Sequence, residues 1–141
     1  GFSPFAVSIM RIFLDTNVLI SAFVFAGKTG SLLEMLFDGG YDLLVSEYVD
    51  AEFKAKLEEK WSSKANKIYS LYRSLPFVFC SSTDERYEMI RDKKDVPVLS
   101  DALFHNADII LTGDKDFLES DVEKPLIFSP TMLYDYFTNE G

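Results

Sequence analysis

With 23 acidic residues, 14 basic ones, one histidine and one cysteine, the chain's chemistry falls first to carboxylates. A single histidine, His105, cannot supply a paired acid and base. A single cysteine, Cys80, excludes an intramolecular disulfide and any multi-cysteine zinc site. Clustered carboxylates raise one another's pKa and repel, and a divalent cation reverses that sign. Oxygen ligands without His or Cys favour Mg²⁺ or Mn²⁺ over zinc. A cation held this way suits phosphoryl transfer or phosphodiester hydrolysis, where it activates water and stabilises charge on the attacking and leaving oxygens.

The elements decide which acids can gather. "MRIFL" (10–14) reads as a strand, followed by a helix from about Asn17 to Phe25. "GKTG" breaks the chain, and Leu32, Leu33, Leu36 and Phe37 give helical spacing closed by Gly39-Gly40. "DLLV" (42–45) is a second strand, and Ser46 caps a helix with an inner face of Val49, Phe53 and Leu57. Trp61, Ala65, Ile68, Tyr72 and Leu75 mark another helix before a third strand, "PFVFC" (76–80). Ser82 and Glu85 make a capping-box pattern for a short helix to about Asp92.

"DVPVLSDALFHNA" (95–107) predicts a helix with Asp95 as N-cap and Pro97 in the first turn. "DIILT" (108–112) and "PLIFS" (125–129) are the fourth and fifth strands, and Ser129-Pro130 opens a last helix through Phe137. Short, nearly all-apolar strands alternating with helices predict an α/β fold. It is a three-layer α/β/α sandwich around a central, mainly parallel five-stranded sheet.

Ligands of such sheets bind at the carboxyl ends of the strands, near a switch in strand order. Asp15 directly follows the first strand, and Asp114 and Asp116 follow the fourth. Asp95 starts the helix leading into that fourth strand, and helical counting puts Glu52 beside Val49 and Lys56 at the edge of a buried face. Each has a plain structural reading too. Asp15 and Asp95 stand where Asp is favoured as an N-cap, Asp114 follows Gly113 as a turn former would, and Glu52 fits a solvated helix surface. Convergence of four or five carboxylates on one sheet edge separates the two readings.

The remaining signals bound the problem. The predicted domain spans 10–138, with 1–9 an N-terminal extension, a mis-assigned start or a tag remnant. No window approaches the ~18 to 20 apolar residues of a membrane span, and the cysteine usage fits a reducing cytoplasm. A net charge of −9 counts against a passive nucleic-acid binder, yet leaves open an enzyme whose acids are neutralised by metal. Arg91, Lys93, Lys94 and Lys115 flank the acids and offer either a solvated loop or local phosphate contacts. "KTG" (28–30) lacks the upstream glycine of a phosphate-binding loop. Cys80 reads as core, His105 as a surface or half-buried residue, and Tyr134, Tyr136 and Phe137 as core or a partner-facing cluster.

"FLDTNVLISAF", "VSEYVDAEFKAKL", "KKDVPVLSDAL" and "DIILTGDKDFL" together resemble the PIN-domain family. Within it they resemble the toxin components of toxin–antitoxin systems, over essentially the whole chain from Met10 to about Phe137. The resemblance implies that Asp15, Glu52, Asp95 and Asp114 occupy the four acidic active-site positions, catalytic and metal-binding, with Asp116 a further metal-binding candidate. Thr16, Asn17 and Thr112 match the polar residues that position water, metal or phosphate. Val96 departs from the pattern, where a polar residue is expected after the acid.

The implied activity is that of a Mg²⁺- or Mn²⁺-dependent ribonuclease leaving a 5′-phosphate and a 3′-hydroxyl. The implied partners are an RNA substrate, a cognate antitoxin and a second copy of the chain. Alternatives are a catalytically idle module binding RNA or protein, and a DNA-structure-specific nuclease, whose relatives carry larger insertions. A phosphoacceptor receiver needs a second acid beside Asp15, where Thr16 stands, and a haloacid-type phosphatase needs an acid where Asn17 stands.

Overall fold

The computed structural model describes residues 9–87, 90 and 92–140. Five strands form one sheet: β1 (Arg11–Leu14), β2 (Asp42–Ser46), β3 (Val78–Cys80), β4 (Ile109–Leu111) and β5 (Leu126–Phe128). Their order is β3-β2-β1-β4-β5, and every neighbouring pair is parallel. The three central strands bury both faces, through "IFL", "LLV" and "IIL": Phe13, Leu14, Leu44, Ile110 and Leu111 have no exposed surface. Each such side chain contributes about 1.5–3 kcal/mol by leaving water.

The chain runs outward from β1 to β3, then returns across the sheet to β4 on β1's other side. The order therefore reverses between β1 and β4, and the crevice at the carboxyl ends of these two strands is where a ligand is expected. Right-handed connections set the helices between β1, β2 and β3 on one face and the helix between β3 and β4 on the other.

Those helices are α1 (Thr16–Ile20), α2 (Gly27–Asp38), α3 (Glu47–Lys60), α4 (Ala65–Arg73), α5 (Val96–Phe104), α6 (Lys115–Leu118) and α7 (Pro130–Glu140). α1 runs directly into a π-helical turn, Ser21–Phe25. The break before α2 falls at Ala26, which has φ 60° and ψ −103°, and not at "GKTG", which forms the first turn of α2. Gly40, at φ 80°, lets the chain leave α2 toward β2. Phe23, Phe53, Tyr72 and Phe77 pack edge-on or tilted at centroid distances of 4.7–6.1 Å, joining the π-helical turn, α3 and α4.

The predicted caps at Ser46 and Ser129 hold, while other sequence-based expectations differ in detail. Ser46 caps α3 through its Oγ and the Val49 N–H (3.3 Å), and Ser129 caps α7 through the Met132 N–H (3.1 Å). α7 continues to Glu140, beyond Phe137. Trp61 ends α3 and stands outside α4. The described residues from 82 to 87 are not helical. Ser82 is drawn off by tertiary bonds: it donates to Asp101 Oδ2 (2.7 Å) and accepts from the Tyr48 N–H (2.9 Å). Residues 88, 89 and 91 of that short helix, and residues 1–8 of the extension, lie outside the described residues. Tyr136 is exposed, whereas Phe137 packs on Tyr41 at 5.9 Å. No single helix among the described residues is long and apolar enough to cross a membrane.

Candidate metal centre

Asp15 is where β1 stops being a strand. Its N–H still continues the ladder to the Leu111 carbonyl (3.1 Å), so the position is fixed by the sheet. Its carboxylate is 5% exposed. Oδ1 accepts the Thr16 N–H and Oδ2 accepts the Thr112 hydroxyl, both at 2.7 Å. Asp15 is thus the N-cap of α1 and also a side chain clamped across two strands. Burial raises its pKa against the lowering effect of these two bonds, and Glu52 and Asp114 add to the rise.

Thr112 sits at the end of β4, fully buried. Having donated its proton to Asp15, its Oγ1 accepts the Asp114 N–H (3.0 Å). One hydroxyl therefore sets the spacing between the acids that follow β1 and β4. Asp114 caps α6, a helix with no counterpart among the sequence-based elements, by accepting the Asp116 N–H (2.7 Å).

Asp95 enters at the start of α5 but does not cap it. Its backbone is helical and its side chain makes no capping bond. Instead Oδ2 is buried without a hydrogen-bond partner. Burial first, then Asp114, Asp15, Asp92 and Asp116, push its pKa up from 3.8 to about 7. A buried carboxylate oxygen left without a donor costs free energy unless something else satisfies it. Glu52, one turn past the start of α3, completes the group.

Asp15, Glu52, Asp95 and Asp114 line one recess of about 90 Å³, together with Asn17, Lys56, Asp92, Lys94 and Val98. Asp116 stands beside it: single oxygens of Asp92, Asp95 and Asp116 lie within 4.8 Å of one another. Thr16 is 1% exposed and does not line the recess; its Oγ1 is buried without a partner. Thr112 lies beneath the recess as a brace. Tyr48 is close enough that, after burial, Glu52, Asp15 and Asp95 raise its pKa. Val96 is buried and points no group into the recess.

Sequence reasoning missed two acids, Asp92 in the recess and Asp101 within α5. Asp92 is three residues before Asp95, a helical spacing that could have marked it, and it accepts the Lys94 N–H at 2.9 Å. Lys56, which helical counting placed beside Glu52, joins it in the lining of the recess. Asp101, 1% exposed, accepts the Ser82 hydroxyl and the Thr83 N–H (2.8 Å) and so anchors the loop after β3. A charged residue inside the apolar run of α5 was its signal. His105 lies away from the recess, its Nε2 2.6 Å from the Ser81 carbonyl. Cys80 is half-buried, with burial pushing its thiol up to about 11.

All the candidate ligand atoms are hard oxygens, and one of them is buried with no donor. The donor set suits a hard divalent cation held by carboxylate oxygens.

A family model described as "PIN domain" matches residues 11–116, a span that contains all five acids named from the sequence. No curated protein sequence matches the chain significantly. Among solved structures, the chain is similar to one chain of VapBC2 from Rickettsia felis, crystallised with a DNA fragment from its promoter. That match has a TM-score of 0.69 and 18% identity, and it covers 85% of this chain and 98% of the other. At that identity the likeness is one of fold.

Proposed function

The chain belongs to the PIN domain family, and from that premise we propose that it is a Mg²⁺- or Mn²⁺-dependent endoribonuclease acting as the toxin of a toxin–antitoxin module. The observation that carries the metal is Asp95: a buried, unpartnered carboxylate oxygen among four further acids. A site this acidic repels a phosphate diester unless a cation stands between them. Asp15, Glu52, Asp95 and Asp114 would hold the ion, with Asp116 in reserve at the rim. When bound, the ion acidifies water and stabilises charge on the leaving oxygen.

The protein's own contribution is orientation. Thr112 and the Thr16 N–H each occupy one oxygen of Asp15, leaving the other lone pairs directed and the carboxylate unable to rotate. The Asp116 N–H does the same for Asp114. Val98 adds an apolar side chain to an otherwise polar lining. Water adds to phosphorus, the P–O3′ bond breaks, and the products carry a 5′-phosphate and a 3′-hydroxyl. The choice of RNA, the antitoxin partner and a homodimeric, cytoplasmic form follow the resemblance of the four motifs to toxin components.

Replacing Asp15→Asn or Asp114→Asn is expected to abolish Mn²⁺-dependent cleavage of RNA by the purified protein. Cleavage surviving in both variants would overturn the assignment of these residues.

A further inference from the structure

Lys56 is a cation beside five carboxylates that forms no ion pair with any of them. It lies one turn beyond Glu52 on α3, half-buried, in the wall of the acidic recess. The ion pairs among the described residues are Arg11–Asp42 and Arg73–Asp50. The Lys56 ammonium instead donates to the neutral Asn17 Oδ1, at 3.3 Å. A lysine has three donors, and Asn17 takes one. The amide of Asn17 thus holds the charge at the rim, where it neither fills the place of a cation nor collapses onto the acids.

We propose that Lys56, held by Asn17, grips a phosphate of the bound RNA strand beside the metal site. This rests on the ribonuclease reading above and adds a residue to it. Lys56 and Asn17 line the same recess as Asp15, Glu52, Asp95 and Asp114, so a phosphate brought to those acids lies beside the ammonium. Metal loading removes the repulsion of the acids, after which the ammonium's remaining N–H groups can meet a non-bridging oxygen.

The test uses full-length protein and a short fluorescein-labelled single-stranded RNA. Ca²⁺ replaces Mn²⁺ so that binding is read by anisotropy without cleavage. Lys56→Met is expected to weaken binding about tenfold, the size of one lost charged hydrogen bond. It should also flatten the log–log salt dependence by about 0.7, one phosphate on a single strand. Lys56→Arg should restore both. In the Mn²⁺ reaction KM rises in Lys56→Met while kcat changes little. Lys54→Met removes the same charge from the same helix, where Lys54 lies 5.4 Å over the Tyr69 ring, and should change neither quantity.

The Mn²⁺-induced rise in Tm must persist in Lys56→Met, showing an intact metal site. Wild-type affinity and slope in Lys56→Met would overturn the proposal. So would an equal loss in Lys54→Met, or loss of the Mn²⁺ effect on Tm. Wild-type protein that gains stability from Mn²⁺ yet neither binds nor cleaves RNA would refute the RNA reading itself, and this inference with it.

Discussion

Asp95→Asn should make the metal-free protein more stable, by an amount that depends on pH. Asp95 has its folded pKa raised from 3.8 to about 7, chiefly by burial and then by Asp114 and Asp15. A carboxyl with a raised pKa is neutral in both states below the unfolded value, so it costs nothing there. As pH climbs from 3.8 towards 7, the unfolded chain ionises while the folded one resists, and stability falls. Above about pH 7 the loss levels off. A shift of about three units corresponds to roughly 4 kcal/mol. That figure is a ceiling, because the recess opens to water, and about 2–4 kcal/mol is expected.

Asparagine removes the ionisation and keeps the shape. Near pH 3.5 the two proteins should melt together. At about pH 8 without metal the variant should melt higher by roughly 6–12 °C, at about 3 °C per kcal/mol for a domain of this size. Saturating Mn²⁺ should close or invert the gap, because only the wild type keeps the full ligand set and gains about 2.7 kcal/mol at a hundred times Kd. Thermal melts followed by circular dichroism across pH, with and without Mn²⁺, read all of this. A variant no more stable than wild type at high pH, or a gap indifferent to pH, would refute the reasoning about Asp95.

Calorimetric titration with Mn²⁺ should show affinity tightening as pH rises through about 7, because the ion and a proton compete for Asp95; affinity flat across that range would count against it. Thr112→Val leaves the Asp15 and Asp114 bonds unmade inside a buried site, and denaturant melts should show a loss of about 1–3 kcal/mol. Unchanged stability there would mean that Thr112 is no brace. Ala26→Gly relieves a backbone at φ 60°, and should raise stability by about 0.5–1 kcal/mol in the same melts; a loss would show the strain to be absent.

How much was legible follows from where each residue sits. Asp15 and Asp114 could be read because each follows an apolar strand directly, and strand ends are where parallel sheets gather ligands. Glu52 followed from counting helical turns from Ser46. The same logic stopped at Asp92, which lies outside every strand and helix. It also misjudged Ser82, whose local capping signal lost to partners 19 and 34 residues away. "GKTG" looked like a break because of its glycines, whereas the actual break is a strained alanine that carries no signature. Asp95 stood at the predicted position, but only packing reveals that it makes no capping bond and that its Oδ2 is buried without a hydrogen-bond partner.

The bond between Thr112 and Asp15 joins residues 97 apart in the chain. β1 leaves the ribosome first, yet it lies at the centre of the sheet and gains its neighbour β4 almost last. Until Thr112 has emerged, Asp15 has no brace and nothing fixes its distance from Asp114. The pairing of β1, β2 and β3 does not itself bring Asp114 to Asp15. The acids can therefore gather only once β4 has joined β1, whatever part of the sheet has formed before it.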